Sequence, residues 1–309
     1  MSSSLNLPRA TFWAGFAFAL LGAVFFSAKG IVVKLTYRYP GVDAITIISL
    51  RMLLAAPFFL VVAWFQARKA KLGLIPRLTR KDSVRLVLLG FIGYYLSSFL
   101  AFLGLQTISA GLERVVLFLS PTFVLLITAF YFKRAIAPRQ WLALALSYGG
   151  VVCVFLNDLS FSGDAVVLGA GFVLASALCY SIYLIGSGEI MARVGATRLV
   201  AYAMLVSTAF TLVQFFWVYS WEGLALPWPV YQLSFIHATL NTVVPTFMIM
   251  WAVARIGAPL TAQLGLIGPV SVLFLAAWIL DEAITPLQLV GTAFVLTGVL
   301  VLGKRPKAR

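Results

Sequence analysis

Apolar residues occur along this chain in long runs that are separated by short polar stretches. Each run is about twenty residues long, the length an α-helix needs to cross roughly 30 Å of hydrocarbon at about 1.5 Å per residue. Backbone amides find no water partner inside a bilayer, so a spanning segment of this kind is expected to be helical. The runs predict ten spanning helices, at residues 12–34, 43–66, 84–106, 112–132, 138–157, 165–188, 197–219, 231–253, 259–280 and 286–303.

Composition agrees with a chain that lies mostly in a membrane. Hydrophobic residues make up 62% of the sequence and charged residues 10%, whereas a soluble domain has about 45–50% apolar and about 25% charged residues. The loops between the apolar runs are too short to hold a soluble domain. The first run is expected to be a retained helix, because no small-residue cleavage site follows a short apolar core. The predicted fold is therefore an all-α integral membrane protein.

The positions of the charged residues predict the orientation of the helices. A net charge of +14 would suggest a nucleic-acid partner in a soluble protein, but here most Lys and Arg fall in alternate loops, and no nucleic acid is expected. The loops on the other side carry the acidic residues Asp43, Asp158, Asp164, Glu222, Asp281 and Glu282. Because basic loops stay in the cytoplasm, both termini and the loop at residues 68–85 are predicted to be cytoplasmic, in a bacterial inner membrane.

The second half of the chain repeats part of the first. Without a gap, Ile108 aligns with Ile256, Pro121 with Pro269, and further identities follow at Pro138 with Pro286, Gln140 with Gln288 and Gly150 with Gly298. Each half contains five predicted helices, an odd number, so the two halves enter the membrane from opposite sides. The sequence thus predicts a 5+5 inverted-topology repeat over residues 12–157 and 165–303, an arrangement typical of secondary transporters.

The repeated segments, residues 105–155 and 254–303, resemble the two EamA domains of the drug/metabolite transporter superfamily. The second copy keeps a Gly-Pro pair at Gly268 and Pro269 and an acidic element followed by proline at Asp281, Glu282 and Pro286. The resemblance implies a ten-helix carrier in which helices one to four and six to nine surround a central cavity. It also implies transport of amino acids, sugar derivatives or other metabolites, often outward.

Charged residues inside the predicted helices are candidates for a binding site, because an ionisable group at membrane depth costs at least about 2.5–3.5 kcal/mol. Lys29 lies among small residues in the first helix and is expected either to contact a ligand or to pair with a carboxylate elsewhere. Arg51 and Glu113 enter from the same side on the second and fourth helices, which predicts an ion pair that belongs to the site or braces the fold. With Arg114, the basic residues outnumber Glu113, and this surplus predicts an anionic or zwitterionic substrate.

Other candidates are polar, aromatic or proline residues within helices. His237 and Asn241 are one turn apart and share a face, which suits either a proton relay or hydrogen bonding between helices. Tyr183 is predicted either to line a cavity or to pack in the core. Pro121 and Pro269 fall at equivalent mid-helix places in the two halves, so they are expected to be hinges or static kinks.

The sequence contains no pattern that indicates catalysis. Cys153 and Cys179 fall inside predicted helices, and no metal-ligand cluster, nucleophile set or phosphate-binding loop is found, so no metal, cofactor or enzyme activity is predicted. The predicted function is a secondary transporter of small metabolites that works by alternating access, as an exporter of amino acids or other anionic or zwitterionic compounds. Its predicted partners are the lipid bilayer, the substrate and a proton or counter-substrate. The alternatives are a carrier for multidrug or cationic-compound efflux and, further away, a membrane enzyme or receptor.

Overall fold

The computed structural model describes residues 9–303 except residues 132, 134 and 163. This part of the chain is built from helices and short turns without any strand, and nine helical segments in it are long and apolar enough to cross a membrane. A tenth, shorter apolar helix follows at Pro286–Val301. The prediction of an all-α membrane fold with ten helices is confirmed. Residues 1–8, 134 and 304–309, which are predicted to be cytoplasmic, lie outside the described residues, as does the side chain of Arg9. The side chain of Glu222, predicted on the other side of the membrane, also lies outside them.

The first half contains five helices, three of which are interrupted. They are α1 (Arg9–Ser27 and Lys29–Thr36), α2 (Ala44–Lys71), α3 (Arg80–Gly90, Phe91–Leu96 and Ser97–Gly104), α4 (Ala110–Leu117 and Ser120–Tyr131) and α5 (Pro138–Ser162). In α3 the middle segment, Phe91–Leu96, is a π-helical turn. These helices match the predicted apolar runs closely, because hydrophobic length is a local property of the sequence.

In the second half the third and fourth helices are interrupted like their counterparts in the first, whereas the first helix is continuous. Its members are α6 (Ala165–Val194), α7 (Ala196–Val218), α8 (Trp228–Ala238, Thr239–Val243 and Val244–Ile256), α9 (Ala258–Leu264 and Ile267–Leu280) and α10 (Pro286–Gly303), with a short 3₁₀ turn at Trp221–Leu224 before α8. The middle segment of α8, Thr239–Val243, is π-helical like its counterpart in α3. The interruptions of the third and fourth helices therefore occur in both halves.

Helix ends are set by local chemistry. Asp43 begins α2 by accepting a hydrogen bond from the backbone N–H of Thr46 at 2.8 Å, which satisfies one of the unpaired amides of the first turn. Gly195 separates α6 from α7 and Gly257 separates α8 from α9. Their φ angles of 85° and 80° are readily adopted by glycine alone. Each of these turns consists of one residue, so the chain passes directly from one helix into the next.

The helices pack in pairs that remain the same when the two halves are exchanged. The first member of each half packs against the third member of the other, as α1 against α8 and α6 against α3. Helices α2 and α7 pack together, as do α5 and α10. In the α5–α10 pair the backbones meet, because a Cβ at Gly291 would lie 2.5 Å from the carbonyl oxygen of Gly150. This pairing is the one expected for a 5+5 inverted repeat.

Pro121 and Pro269 do not lie in the middle of continuous helices as predicted. Helix α4 is interrupted at residues 118–119 and α9 at residues 265–266, and each proline falls in the first turn of the following segment. A proline is well tolerated there, since the amide that it lacks would have no helical partner. At the break in α4, Ser120 donates to the carbonyl of Leu117 at 2.7 Å. The two halves thus share a broken helix at equivalent places.

Candidate functional site

A cavity of about 430 Å³ lies between the two halves of the bundle. Residues of α1, α2, α3, α4, α6, α7 and α8 line it. The lining includes Gly93 and Tyr94 of the π-helical turn in α3, Asn241 and Thr242 of the one in α8, and Pro121 at the break in α4. Irregular helical turns free backbone groups and redirect side chains, which is why they occur often at functional sites.

Glu113 pairs with Lys29 and not with Arg51. The Nζ of Lys29 lies 3.7 Å from Oε1 of Glu113, whose side chain is 1% exposed. The predicted Arg51–Glu113 pair is therefore wrong. Of the two roles predicted for Lys29, the structure shows the pairing with a carboxylate, which is that of Glu113. The cause is helix packing: the second segment of α1 packs against the start of α4, whereas α2 packs against α7 and α8. Gly30 permits the approach, because even a Cβ there would come within 3.3 Å of Oε2 of Glu113.

Arg51 projects from α2 into the cavity lining while its side chain stays 6% exposed. Its guanidinium lies over the ring of Phe102, with 5.1 Å between Cζ and the ring centroid. Neither Nε nor Nη2 of Arg51 has a hydrogen-bond partner within the described part of the chain. The aromatic ring stabilises the positive charge, but the N–H donors at the edge of the guanidinium stay unused.

Arg114 also lines the cavity and is held from behind by α1 and α9. Its Nη2 donates a hydrogen bond to Oγ of Ser27 at 2.7 Å. Gly268, from the Gly-Pro pair of α9, makes room for this contact, because a Cβ there would lie 2.5 Å from that hydroxyl and 3.1 Å from Nη2 of Arg114. The guanidinium also lies over Phe118 at 5.1 Å. Gly268 therefore leaves the space in which Ser27 holds the side chain of Arg114.

Asn241 and His237 are both buried in α8, but they have different relations to the cavity. Asn241 lines it; its Nδ2 donates to the carbonyl of Phe25 at 2.6 Å, and its Oδ1 has no partner among the described residues. His237 is 1% exposed, lies outside the lining and packs with its ring centroid 5.5 Å from that of Phe102. Thr242 closes the π-helical turn by donating to the carbonyl of His237 at 2.9 Å. Asn241 can therefore contact a ligand directly, whereas His237 lies one layer behind.

Tyr183 supports the cavity wall without forming its surface. It packs tightly against Gly93, and its hydroxyl donates to the hydroxyl oxygen of Tyr94 at 3.4 Å. Tyr94 and Tyr180 are the tyrosines that line the cavity. Sequence reasoning missed Tyr94; the available signal was its place beside Gly93 and two serines within an otherwise apolar helix. Tyr183 is thus a neighbour of the lining.

A cluster of ionic contacts lies where α1 ends and α4 begins. Lys34 forms an ion pair with Glu282 at 3.0 Å and donates to the carbonyl of Ile108 at 2.9 Å. Two carboxylates accept hydrogen bonds from the first amides of α4: Glu282 from Ala110 at 3.3 Å and Asp158 from the amide of the preceding residue at 2.8 Å. Negative charge at a helix N-terminus is favourable. These contacts tie α1, α4, α5 and the α9–α10 turn together at one end of the bundle.

Metal ligands do not cluster in the part of the chain that the structure describes. No group of three or more His, Cys, Asp or Glu residues there could hold a metal ion. Cys153 and Cys179 are both free thiols. The polar groups of the cavity are therefore those of a binding site built from guanidinium, ammonium, amide and hydroxyl groups.

Comparison with known proteins identifies the family. The model of the EamA-like transporter family matches residues 13–156 and again residues 167–304. An uncharacterized transporter of Bacillus subtilis, YcbK, is 30% identical over 297 residues, which cover 92% of each chain. A Streptantibioticus cattleyicolor protein named "Probable terminal-alkyne amino-acid exporter" is 28% identical over 215 residues, covering 65% of this chain and 67% of its own.

A solved crystal structure has the same fold, with a TM-score of 0.61 at 16% sequence identity over 95% of this chain and 96% of that one. The family model covers the chain on both sides of the turn between α5 and α6. The helices that it matches are the ones that surround the cavity and the α5–α10 pair beside it. This chain is therefore a multi-pass membrane protein of the EamA-like transporter family, within the drug/metabolite transporter superfamily.

Proposed function

We propose that the protein is a secondary carrier that moves a small anionic or zwitterionic metabolite across the bacterial inner membrane. The main support for this proposal is the net positive charge of the side chains in and beside the cavity. Lys29, Arg51 and Arg114 all line it, and Glu113 is the acid that pairs with one of them. Two positive charges are left over, and in a low-dielectric site such an excess is costly unless an anion offsets it. A carboxylate or another anionic group on the substrate supplies that charge.

The names of the relatives support outward transport, with amino acids as the substrate class. One relative carries the name of an amino-acid exporter, and others are named as transporters. The runner-up, a carrier for multidrug or cationic-compound efflux, is disfavoured because a permanent cation would add to the positive charge of the cavity. An enzyme or a receptor finds no support in the family or in the relatives' names.

Alternating access is proposed as the mechanism, with the halves at residues 12–157 and 165–303 moving relative to each other about the cavity. The broken helices α4 and α9 support this proposal, because an interrupted hydrogen-bond ladder bends at lower cost than a continuous helix. Pro121 and Pro269 lie at these breaks and are the proposed hinges. A proton or a counter-substrate supplies the driving force.

The test is counterflow in proteoliposomes that contain the purified protein. Vesicles preloaded with an unlabelled amino acid or organic acid are expected to accumulate the same labelled compound transiently, which a channel does not do. Tetraphenylphosphonium, a permanent cation of drug-like size, is expected neither to exchange nor to compete. An imposed pH gradient separates proton coupling from exchange. Counterflow of the cation without counterflow of any anion or zwitterion would overturn the proposal.

A further inference from the structure

The charged and the aliphatic groups of the cavity occupy different ends of it. Helices α4, α6 and α8 cross the membrane in the same direction, and in each the first lining residue is polar: Arg114 precedes Phe118, Tyr180 precedes Leu184, and Asn241 precedes Met250. The hydroxyls of Ser120 and Thr246 lie further along α4 and α8. In α8, Asn241 and Met250 are nine residues apart, or about 13 Å along the helix axis at about 1.5 Å per residue. A ligand that fills the cavity therefore meets basic and amide groups at one end and aliphatic side chains at the other.

Helices that run in the opposite direction show the reverse order. Lys29 is near the end of α1, whereas Val200 and Met204 lie near the start of α7. The end of α1 and the start of α7 lie on opposite sides of the membrane. Helices of both directions thus place the charged groups at one end of the cavity and the aliphatic groups at the other.

Unpaired buried atoms show what the polar end lacks. Among the described residues, two buried nitrogens of Arg51, Nε and Nη2, have no hydrogen-bond partner, and neither has Nε of Arg114. Asn241, which is 5% exposed, has an unpaired acceptor at Oδ1. A buried donor or acceptor without a partner is costly. The amide of Asn241 is oriented by its bond to the carbonyl of Phe25, which leaves Oδ1 for a donor. The site therefore calls for a ligand that carries both an anionic acceptor and a hydrogen-bond donor.

Arg51 is better placed to hold the anion than the other two basic residues. Lys29 already pairs with Glu113, and Nη2 of Arg114 already bonds to Ser27. Arg51 has no such partner among the described residues; Phe102 covers one face of the guanidinium, and Nε and Nη2 stay unpaired. A planar guanidinium with two adjacent donors matches a carboxylate.

We propose that the cavity recognises a compact monocarboxylate with an amino group and an apolar side chain, of the size and polarity of leucine. The carboxylate binds Arg51, the ammonium group binds Oδ1 of Asn241, and the side chain points toward the aliphatic end of the cavity at Leu184, Ile249 and Met250. A volume of about 430 Å³ is at the small end of ligand pockets, which span about 300–1,000 Å³. Dicarboxylates and sugar phosphates would place polar groups against the aliphatic end. This inference rests on the proposed function and narrows its substrate class.

The test uses four probes that differ in one feature each. Counterflow of labelled L-leucine is measured in the presence of one unlabelled competitor at a time. Unlabelled L-leucine is the reference, and L-leucinamide lacks the carboxylate. Glycine lacks the side chain, and L-glutamate carries an anionic side chain in place of the apolar one. Hydrogen bonds to charged groups contribute about 1.5–3 kcal/mol, which at about 1.4 kcal/mol per tenfold gives about a tenfold or larger loss for leucinamide. Glycine and glutamate are also expected to compete at least about tenfold less well than leucine, since desolvated apolar contacts contribute comparable amounts.

Two variants assign the groups within the site. Arg51→Gln is expected to raise the half-saturating leucine concentration at least about tenfold, by the same hydrogen-bond arithmetic, while Arg68→Gln, at an exposed arginine outside the cavity, leaves it unchanged. Met250→Thr is expected to reduce the preference for leucine over glycine. The melting temperature of each purified variant checks that it is folded, and the wild-type competition order decides the proposal if Arg51→Gln does not fold.

The outcomes separate this inference from the proposed function. Competition by leucinamide or glutamate as strong as that by leucine would overturn the inference, and counterflow of other anions or zwitterions would then still support the carrier. Failure of the folded protein to exchange any amino acid or organic acid would overturn both. Strongest competition by leucine, weaker competition by glycine, glutamate and leucinamide, and a loss of leucine affinity in Arg51→Gln would support the assignment.

Discussion

At the scale of single residues, the site depends on which charges are already compensated. Lys29 and Glu113 share a contact across α1 and α4, and Arg114 is held by Ser27. Arg51 is buried against Phe102 and has no acidic partner among the described residues. Side chains of similar type thus have different roles: Lys29 with Glu113 is a neutral pair, while Arg51 keeps donors for a ligand.

We expect Lys29→Met and Glu113→Gln each to destabilise the protein, because breaking a buried pair leaves one charge uncompensated at a cost of about 3–5 kcal/mol. The double variant is expected to recover most of that loss, since both charges are then removed. Thermal unfolding of the four proteins in detergent gives the coupling energy. Arg51→Gln combined with Glu113→Gln is the matched control and should be additive. Strong coupling in the control without coupling in the Lys29 cycle would contradict the ion pair in the structure.

Gly268 is expected to be sensitive to the smallest substitution. In Gly268→Ala the new Cβ would lie 2.5 Å from Oγ of Ser27, and overpacking of this kind costs about 1–3 kcal/mol. Displacement of Arg114 should also weaken substrate binding. Gly171→Ala is the control, because nothing lies within 4 Å of a Cβ at that position. Melting temperature and counterflow measure the two effects; equal behaviour of the two variants would show that Gly268 does not position Arg114.

At the scale of helices, the interruptions follow the repeat. The third helix of each half contains a π-helical turn, at Phe91–Leu96 and Thr239–Val243, and the fourth is broken at residues 118–119 and 265–266. Three of these four places border the cavity, and the break in α9 is next to Gly268, behind Arg114. The π-helical turns and helix breaks thus lie around the candidate binding site, where a local rearrangement has the largest effect on the access of a ligand to the cavity.

We expect the combined substitution of Pro121 and Pro269 by Ala to slow transport several-fold while changing the free energy of unfolding by less than about 1 kcal/mol. Both prolines occupy first helical turns, where loss of the ring costs little stability, but alanine lets the ladder continue across the break and stiffens it. Counterflow rate and thermal unfolding are compared with those of Pro57→Ala, a proline inside α2. An unchanged rate in the double variant would show static breaks instead of hinges.

At the scale of the whole molecule, the inverted repeat explains the packing. The pairs α1–α8 and α3–α6 are exchanged by the repeat, and the pairs α2–α7 and α5–α10 are each mapped onto themselves. The cavity lies where the exchanged pairs meet. Halves that are built alike but inserted in opposite directions can adopt two related arrangements, which is the basis of alternating access.

The distribution of Lys and Arg predicts that both ends of the chain face the cytoplasm. A reporter that is active in the cytoplasm is expected to be active when fused after Arg309, and inactive when inserted after Asp164 between α5 and α6. A reporter that requires export is the matched control and should give the opposite pattern. Export of the C-terminal fusion would overturn the predicted orientation.

The number of helices, their approximate bounds and the membrane class can be predicted from the sequence, because these depend on hydrophobic length within one segment. The sequence also determined the excess of basic residues, since that excess needs only the identity and depth of Lys29, Arg51, Glu113 and Arg114. The repeat and the resemblance to the EamA domains came from the same residues.

Which charged side chains meet depends on how the helices pack together. Periodicity shows which residues share a face of one helix, but the partner of Glu113 depends on which helix lies beside α4, and that helix is α1. The same limit explains His237, which the sequence placed with Asn241 and which lies behind the cavity, and Tyr183, which supports Tyr94 from outside it. Helix rotation and neighbour choice arise from contacts between segments far apart in the chain, and no local pattern encodes them.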